Sequence, residues 1–343
     1  MINITEKRIE NLIRELYRQR YKENLELDTV YTADRERIPF GDIEKRPFKA
    51  LKKGEKWGEL WDSGWFRFSG KVPSSWKGKQ VVALIDIGSE GCVFRDGSPY
   101  CGITYKRTDE FFERKRRVML FTEAAGGETV DLLVEGAANG LFGMAPPWST
   151  PWPYFQLNQA ELAVFDSRVW QLAMDMEFLL QLYKTMNPDS PRAKKILRGL
   201  NETANLTPLA DHIEDGLRIT GGLIKTPVSP STPTAWSVGH AHLDLAWLWR
   251  YKETRRKGGR TFSTALRLME EYPEYIFGAS QPQLFQWIKE DYPRLYEDVK
   301  KAVARGRMEC QGGMWVEPDM NVTGGESLVR QCLYGKKFFR DEF

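Results

Sequence analysis

The spacing of apolar residues changes character several times along the chain. Over residues 2–21, Ile4, Ile9, Leu12, Ile13, Leu16 and Tyr17 recur at intervals of three and four, which predicts one amphipathic helix. From residue 57 to residue 165 the runs shorten to GWFRFSGKV, VVALIDIG, GCVFRDGSPYCGI, RVMLF, ETVDLLVEG and AELAVFD, punctuated by Ser74, Gly78, Gly126, Gly127 and Gly140. Asp96-Gly97 between two of these runs is hairpin chemistry. Residues 1–55 therefore read as an N-terminal helical segment and residues 56–165 as an antiparallel β-sandwich. Val169, Leu172, Met176, Leu179, Leu180 and Tyr183 then restore the helical period, and residues 193–219 continue it, giving a helical connector over 166–225. The run TPVSPSTPT, with Pro227, Pro230 and Pro233, marks a linker over 226–234.

Beyond the linker, short apolar strands alternate with helical stripes. Residues 235–238 and 275–280 and the run from Met308 to Val316 read as strands. Phe262, Leu266, Met269 and Tyr272 form one helical stripe. Leu284, Ile288, Tyr292, Leu295, Val299 and Val303 form a second, restarted at Pro293. A third helix over 324–343 carries Leu328, Cys332 and Phe339 on one side. Alternation of this kind predicts a parallel sheet with right-handed crossovers, so residues 235–343 are an incomplete α/β domain. Ligands of such sheets bind at the carboxyl ends of the strands, where residues 240–244, 281–283 and 315–321 emerge.

Composition narrows the function classes. In 343 residues, 50 basic and 47 acidic side chains are interspersed and leave a net charge of +3, which asks for no nucleic acid. The cysteines, Cys92, Cys101, Cys310 and Cys332, lack metal or redox spacing and read as free thiols. The opening MINITEKRIE is charged and precedes no apolar run, so neither a signal peptide nor a membrane span is expected, and the location read is cytoplasmic. Aromatic residues make up 13% of the chain, which suits contact with the C–H faces of sugars but also builds cores.

The sharpest motif is GHAHLDLAWLW, residues 239–249. His242 and Asp244 lie one residue apart just past a predicted strand, so both side chains point to one side and can meet one ion. Imidazole with carboxylate suits Zn²⁺ or a similar divalent metal. A bare His-x-His is often ordinary loop polarity, but two of only three histidines in the chain sit here. A metallo-β-lactamase-like HxHxDH is excluded by Leu245 at the last histidine position. An amidohydrolase-type HxH stays open, although only His212 remains elsewhere.

Residues from 236 to the end, through GHAHLDLAWLWRYKETRRKGGRTFSTALRLMEEYPEYIFGASQPQLFQWIKEDYP and GRMECQGGMWVEPDMNVTGGESLVRQ, closely resemble the catalytic-domain start of glycoside hydrolase family 38 α-mannosidases. GWFRFSGKVP and the segment around FRDGSPY resemble the β-domain of the cytosolic and vacuolar branch. The resemblance implies His242 and Asp244 as ligands to zinc or a related metal such as Co²⁺. It implies His240, Trp247 and Asp319 as substrate contacts, with Glu317 and Asn321 less firmly placed. It further implies retaining hydrolysis of terminal α-mannosides in oligosaccharides by a pair of carboxyl groups. The family's nucleophile aspartate and a later histidine ligand have no counterpart before Phe343, so the chain is expected to be inactive alone. No nucleic-acid or membrane partner is implied, and a homo-oligomer stays open. The alternative expectation is a carbohydrate-binding or assembly module working through the sandwich.

Overall fold

The structure is a computed structural model that describes residues 4–104, 116–139, 154–206, 212–228 and 230–343. Gly140 and residue 229 of the linker lie outside the described residues. Helix α1 (Ile4–Gln19) buries Ile9, Ile13 and Leu16, the predicted stripe, and leaves Ile4 exposed. It packs with α2 (Ser167–Thr185), α3 (Pro191–Leu206) and α4 (Ile213–Ile224) around Leu172, Met176, Leu179 and Leu200. Asp166 caps α2 by accepting from the backbone N–H groups of Arg168 and Val169. The helix and the connector thus form one bundle, although the whole sandwich lies between them in sequence.

The sandwich contains β1 (Tyr21–Glu26), β2 (Asp28–Asp34), β3 (Lys49–Ala50), β4 (Ser63–Lys71), β5 (Val81–Asp86), β6 (Glu90–Arg95), β7 (Ser98–Ile103), β8 (Arg117–Phe121), β9 (Thr129–Ala137) and β10 (Gln159–Phe165). One antiparallel sheet runs β1-β10-β5-β8 and the other β3-β2-β4-β9-β6-β7. Three strands thus come from residues 21–50, which the apolar period assigns to a helical segment. Strand β1, YKENLE, has no buried position and is held by its ladder to β10, so hydrophobic pattern carries no trace of it. The Asp96-Gly97 turn joins β6 to β7 with φ 50° and 76°, both in the left-handed region that a tight hairpin requires.

The layers explain the strand sequences. Phe66, Phe68, Val81, Ala83, Ile85 and Val134 fill the space between the sheets. Val82 and Leu84 face the other way, beneath Phe165 and Trp170, so β5 is buried at every position. The outer face of the six-stranded sheet presents Trp65, Cys92 and Phe94, which enter the core of the α/β unit.

That unit contains β11 (Gly239–His240), α5 (Tyr251–Glu271), β12 (Phe277–Ala279), α6 (Pro282–Asp291), α7 (Pro293–Ala304), β13 (Met308–Cys310) and α8 (Gly325–Glu342). Its three strands are parallel in the order β11-β12-β13, and Pro293 restarts the helix as predicted. Two strands differ from expectation. Residues 235–238 are irregular, with Trp236 93% exposed, and pairing begins only at Gly239. The third strand stops at Cys310 rather than 316, because Gly312, at φ 73°, turns the chain across the strand ends. Cys332 is exposed, off the packing side of α8, where Gly335, Phe338 and Phe339 meet the core. Cys92, Cys310 and Cys332 are free thiols, and burial pushes that of Cys310 up to about 12. Among the described residues no helix is long and apolar enough to cross a membrane.

Candidate functional site

Each parallel strand delivers polar side chains to the same end of the sheet. His240, on β11, donates from Nδ1 to the carbonyl of Gly278 on β12 over 2.9 Å, which ties its ring to the neighbouring strand. His242 follows in the loop. Its Nε2 lies 3.2 Å from Asp244 Oδ1, and its Nδ1 lies 3.1 Å from Glu317 Oε2. Glu317 Oε1 accepts from Ser280 Oγ at 2.7 Å, while the Glu317 backbone N–H donates to Gln281 Oε1 at 3.2 Å. Gln281 Nε2 in turn donates to the Leu243 carbonyl over 2.8 Å. Side chains therefore lace the three strand ends together beyond the sheet pairing.

The loop carrying these groups is anchored on α5. Thr254 accepts from Trp249 Nε1 at 3.0 Å and donates to the Leu245 carbonyl at 2.9 Å, and Lys257 Nζ stands 4.7 Å from the Trp249 ring centroid. Trp247 is 53% exposed, with its ring centroid 6.5 Å from that of Trp249. Its open indole face can take the apolar side of a sugar ring. Asp319 is exposed and engaged within its own loop, accepting from the Asn321 backbone N–H at 2.7 Å. A hollow of about 500 Å³ runs beside α8, lined by Trp315, Tyr334, Lys337, Phe338, Asp341 and Glu342, and does not include the histidines. His212 lies apart in the bundle, 3.0 Å from Asp215.

Beneath the loop, α5 and the sandwich share buried charge. Glu253 meets Arg256 at 2.6 Å and Arg260 at 2.5 Å, while Glu90 of β6 meets Lys257 at 2.6 Å and Arg260 at 3.3 Å. Burial pushes the Glu253 carboxyl up, but Arg256, Arg260 and Lys257 together outweigh it and hold the group at about 2.

The donors at His242 and Asp244 suit a divalent metal in type and spacing. Tetrahedral zinc with bonds of about 2.0–2.2 Å sets adjacent donors about 3.4 Å apart, close to the 3.2 Å found. Two donors are half of such a shell, and among the described residues no three His, Cys, Asp or Glu side chains are arranged to hold an ion. Glu317, beside the opposite ring nitrogen, does not complete it. In the sequence Glu317 is a minor candidate and Ser280 none, because a carboxylate and a hydroxyl at strand ends look like ordinary loop polarity until the fold brings them together.

Residues 233–343 match the family model for the glycosyl hydrolases family 38 N-terminal domain, and residues 24–163 match the α-mannosidase jelly roll domain. The chain is 36% identical over 323 residues to alpha-mannosidase 2C1 of Homo sapiens, covering 90% of this chain and 30% of that protein. It is 33% identical over 317 residues to alpha-mannosidase G of Dictyostelium discoideum, with 90% and 29% covered. It is 27% identical over 328 residues to alpha-mannosidase of Saccharomyces cerevisiae, again with 90% and 29% covered. The chain thus spans about 30% of the length of the curated relatives it matches. Among solved structures, a β-glucuronidase from Ruminococcus gnavus overlaps 43% of this chain and 29% of its own at 12% identity and TM-score 0.30, too slight a likeness to bear on the site.

Proposed function

We propose that this chain, which carries an α-mannosidase jelly roll and the N-terminal domain of the family 38 glycosyl hydrolases, supplies part of the active site of a metal-dependent retaining exo-α-mannosidase. The observation that carries the reading is the meeting of His242 and Asp244 at the carboxyl end of β11, within the residues that match the family 38 domain. On this reading the substrate is an oligosaccharide with a terminal α-mannoside, and the three-stranded sheet is the start of a larger barrel-like sheet. The location is cytoplasmic, which the free thiols of Cys92, Cys310 and Cys332 suit.

In the proposed site His242 and Asp244 would hold the ion, and bound Zn²⁺ or Co²⁺ would supply positive charge for sugar hydroxyls and for a distorted, oxocarbenium-like ring. Trp247 offers the platform for the sugar's apolar side. His240, fixed to the Gly278 carbonyl, orients the loop and presents its free ring edge to a hydroxyl. Asp319 adds a further hydroxyl contact. Binding energy gathered from these contacts serves the transition state rather than the ground state. On this reading the nucleophile aspartate and a further histidine ligand would lie in the portion of the relatives' length that this chain does not span. In retaining enzymes the two carboxyl groups stand about 5–5.5 Å apart.

An assay of the purified 343-residue chain with an aryl α-mannoside and added Zn²⁺ or Co²⁺ tests the division of labour. The expected result is no turnover, since loss of a covalent nucleophile costs orders of magnitude in rate. Hydrolysis abolished by Asp244→Ala would show that the chain holds a complete catalyst. Mannose titrated by NMR is expected to perturb residues around His242 and Trp247. Perturbation confined to the sandwich would support a carbohydrate-binding module instead.

A further inference from the structure

We propose that Glu317 is a positioning residue that fixes the proton of His242 on Nδ1 and leaves Nε2 to the metal, an inference that rests on the metal reading of His242 and Asp244. The two nitrogens of an imidazole point away from each other, and here a different carboxylate stands at each: Asp244 Oδ1 at Nε2 and Glu317 Oε2 at Nδ1. An ion shared by His242 and Asp244 must lie on the Nε2 side. Glu317 faces the other edge of the ring, and there a carboxylate accepts the Nδ1 proton, settles the tautomer and aims the lone pair of Nε2.

Glu317 is itself held in a way that suits this task. Its second oxygen accepts from Ser280 Oγ, and its backbone N–H is bound by the Gln281 side chain. Gln281 is 4% exposed, stands at φ 64° in the left-handed region, and directs its amide nitrogen to the carbonyl of Leu243, the residue after His242. One buried amide therefore grips the backbone next to the histidine and the backbone of the carboxylate that orients it. A non-glycine residue held in this conformation, followed by a proline that starts α6, is a costly arrangement, and its result is a fixed spacing between the His242 loop and the Glu317 loop.

The test uses the full chain labelled with ¹⁵N histidine, which gives signals from only three residues, His212, His240 and His242. The ring-nitrogen shifts of His242 report where its proton resides. The expected result is a protonated Nδ1 in the unaltered chain and loss of that proton in Glu317→Ala, with affinity for Zn²⁺ alone falling about 10–100-fold in the same variant. An Nδ1 without a proton in the unaltered chain, a measurement that needs no variant to fold, would overturn the assignment. So would an Nδ1 signal unchanged by Glu317→Ala in a chain that remains folded by its amide spectrum. If Nδ1 follows Glu317 but Zn²⁺ binds neither protein, the positioning role stands and the metal reading falls.

Discussion

Glu253 is a carboxylate 1% exposed on a helix that also carries Arg256, Lys257 and Arg260, all buried. Taking so many charges out of water is costly, and the arrangement holds only because each acid is matched by cations, with Glu90 supplying the second anion. Its folded pKa of about 2 lies below the ordinary 4.5, so the stability it contributes is fully present above about pH 4.5 and is lost as pH falls toward 2. Glu253→Gln is expected to lower stability at pH 7 by about 3–5 kcal/mol, because two arginines lose a buried partner, and to flatten the acid limb. Urea unfolding of both proteins between pH 7 and pH 3 checks this, and an unchanged acid limb would assign the pH dependence to other carboxylates. Sequence gave His242 and Asp244 as a pair because their spacing is local. The Glu90–Lys257 and Glu317–His242 contacts are not legible there, since each joins residues far apart in sequence and no spacing within one segment pairs them.

At the level of elements, helices are the most legible in the sequence. The stripe of Ile9, Ile13 and Leu16 and that of Leu172, Met176 and Leu179 bury as their period requires. The sandwich was legible through β4 to β10, where Phe66 and Phe68 alternate with Trp65 and Arg67. Parallel strands of two or three residues leave too little sequence for any period to register, so the apolar run at 235–238 points to a strand four residues ahead of the one that pairs. Helix α8 is seated by a glycine: a Cβ at Gly335 would stand 2.2 Å from the Gly313 carbonyl oxygen and 2.8 Å from the Trp315 nitrogen. Backbone cannot yield as a flexible side chain does. Gly335→Ala is expected to cost about 1–3 kcal/mol, and to lift α8 away from the loop that leads through Trp315 to Glu317. Thermal melting and a change in tryptophan emission would register both effects. An unaltered melting curve would mean that the loop moves freely with the helix.

For the molecule as a whole, the decisive fact is that one core serves two modules. Trp65, Cys92 and Phe94 of the jelly roll pack with Phe262, Phe285 and Tyr292 of the α/β unit, so the outer face of the six-stranded sheet is interior. The indole N–H of Trp65 reaches the Ile38 carbonyl at 2.8 Å, and Arg37 meets Glu135 at 2.7 Å and donates to the Tyr292 hydroxyl at 2.6 Å, which brings polar order to the same seam. Sandwich and α/β unit are expected to unfold in one transition. Scanning calorimetry with far-ultraviolet circular dichroism checks it, and two resolved transitions would show that the seam is weaker than its burial implies. The same seam governs how the protein emerges from the ribosome. Phe94 waits for Tyr292, roughly two hundred residues further along, before its ring has the neighbour it faces at 6.3 Å. The six-stranded sheet is complete only once Ala137 of β9 has been made, and the roughly 155 residues from there to Tyr292 take about 8–30 s at about 5–20 residues per second, during which that sheet displays an aromatic face to solvent or to any passing chaperone. Slower synthesis lengthens that exposure whatever the stability of the finished fold.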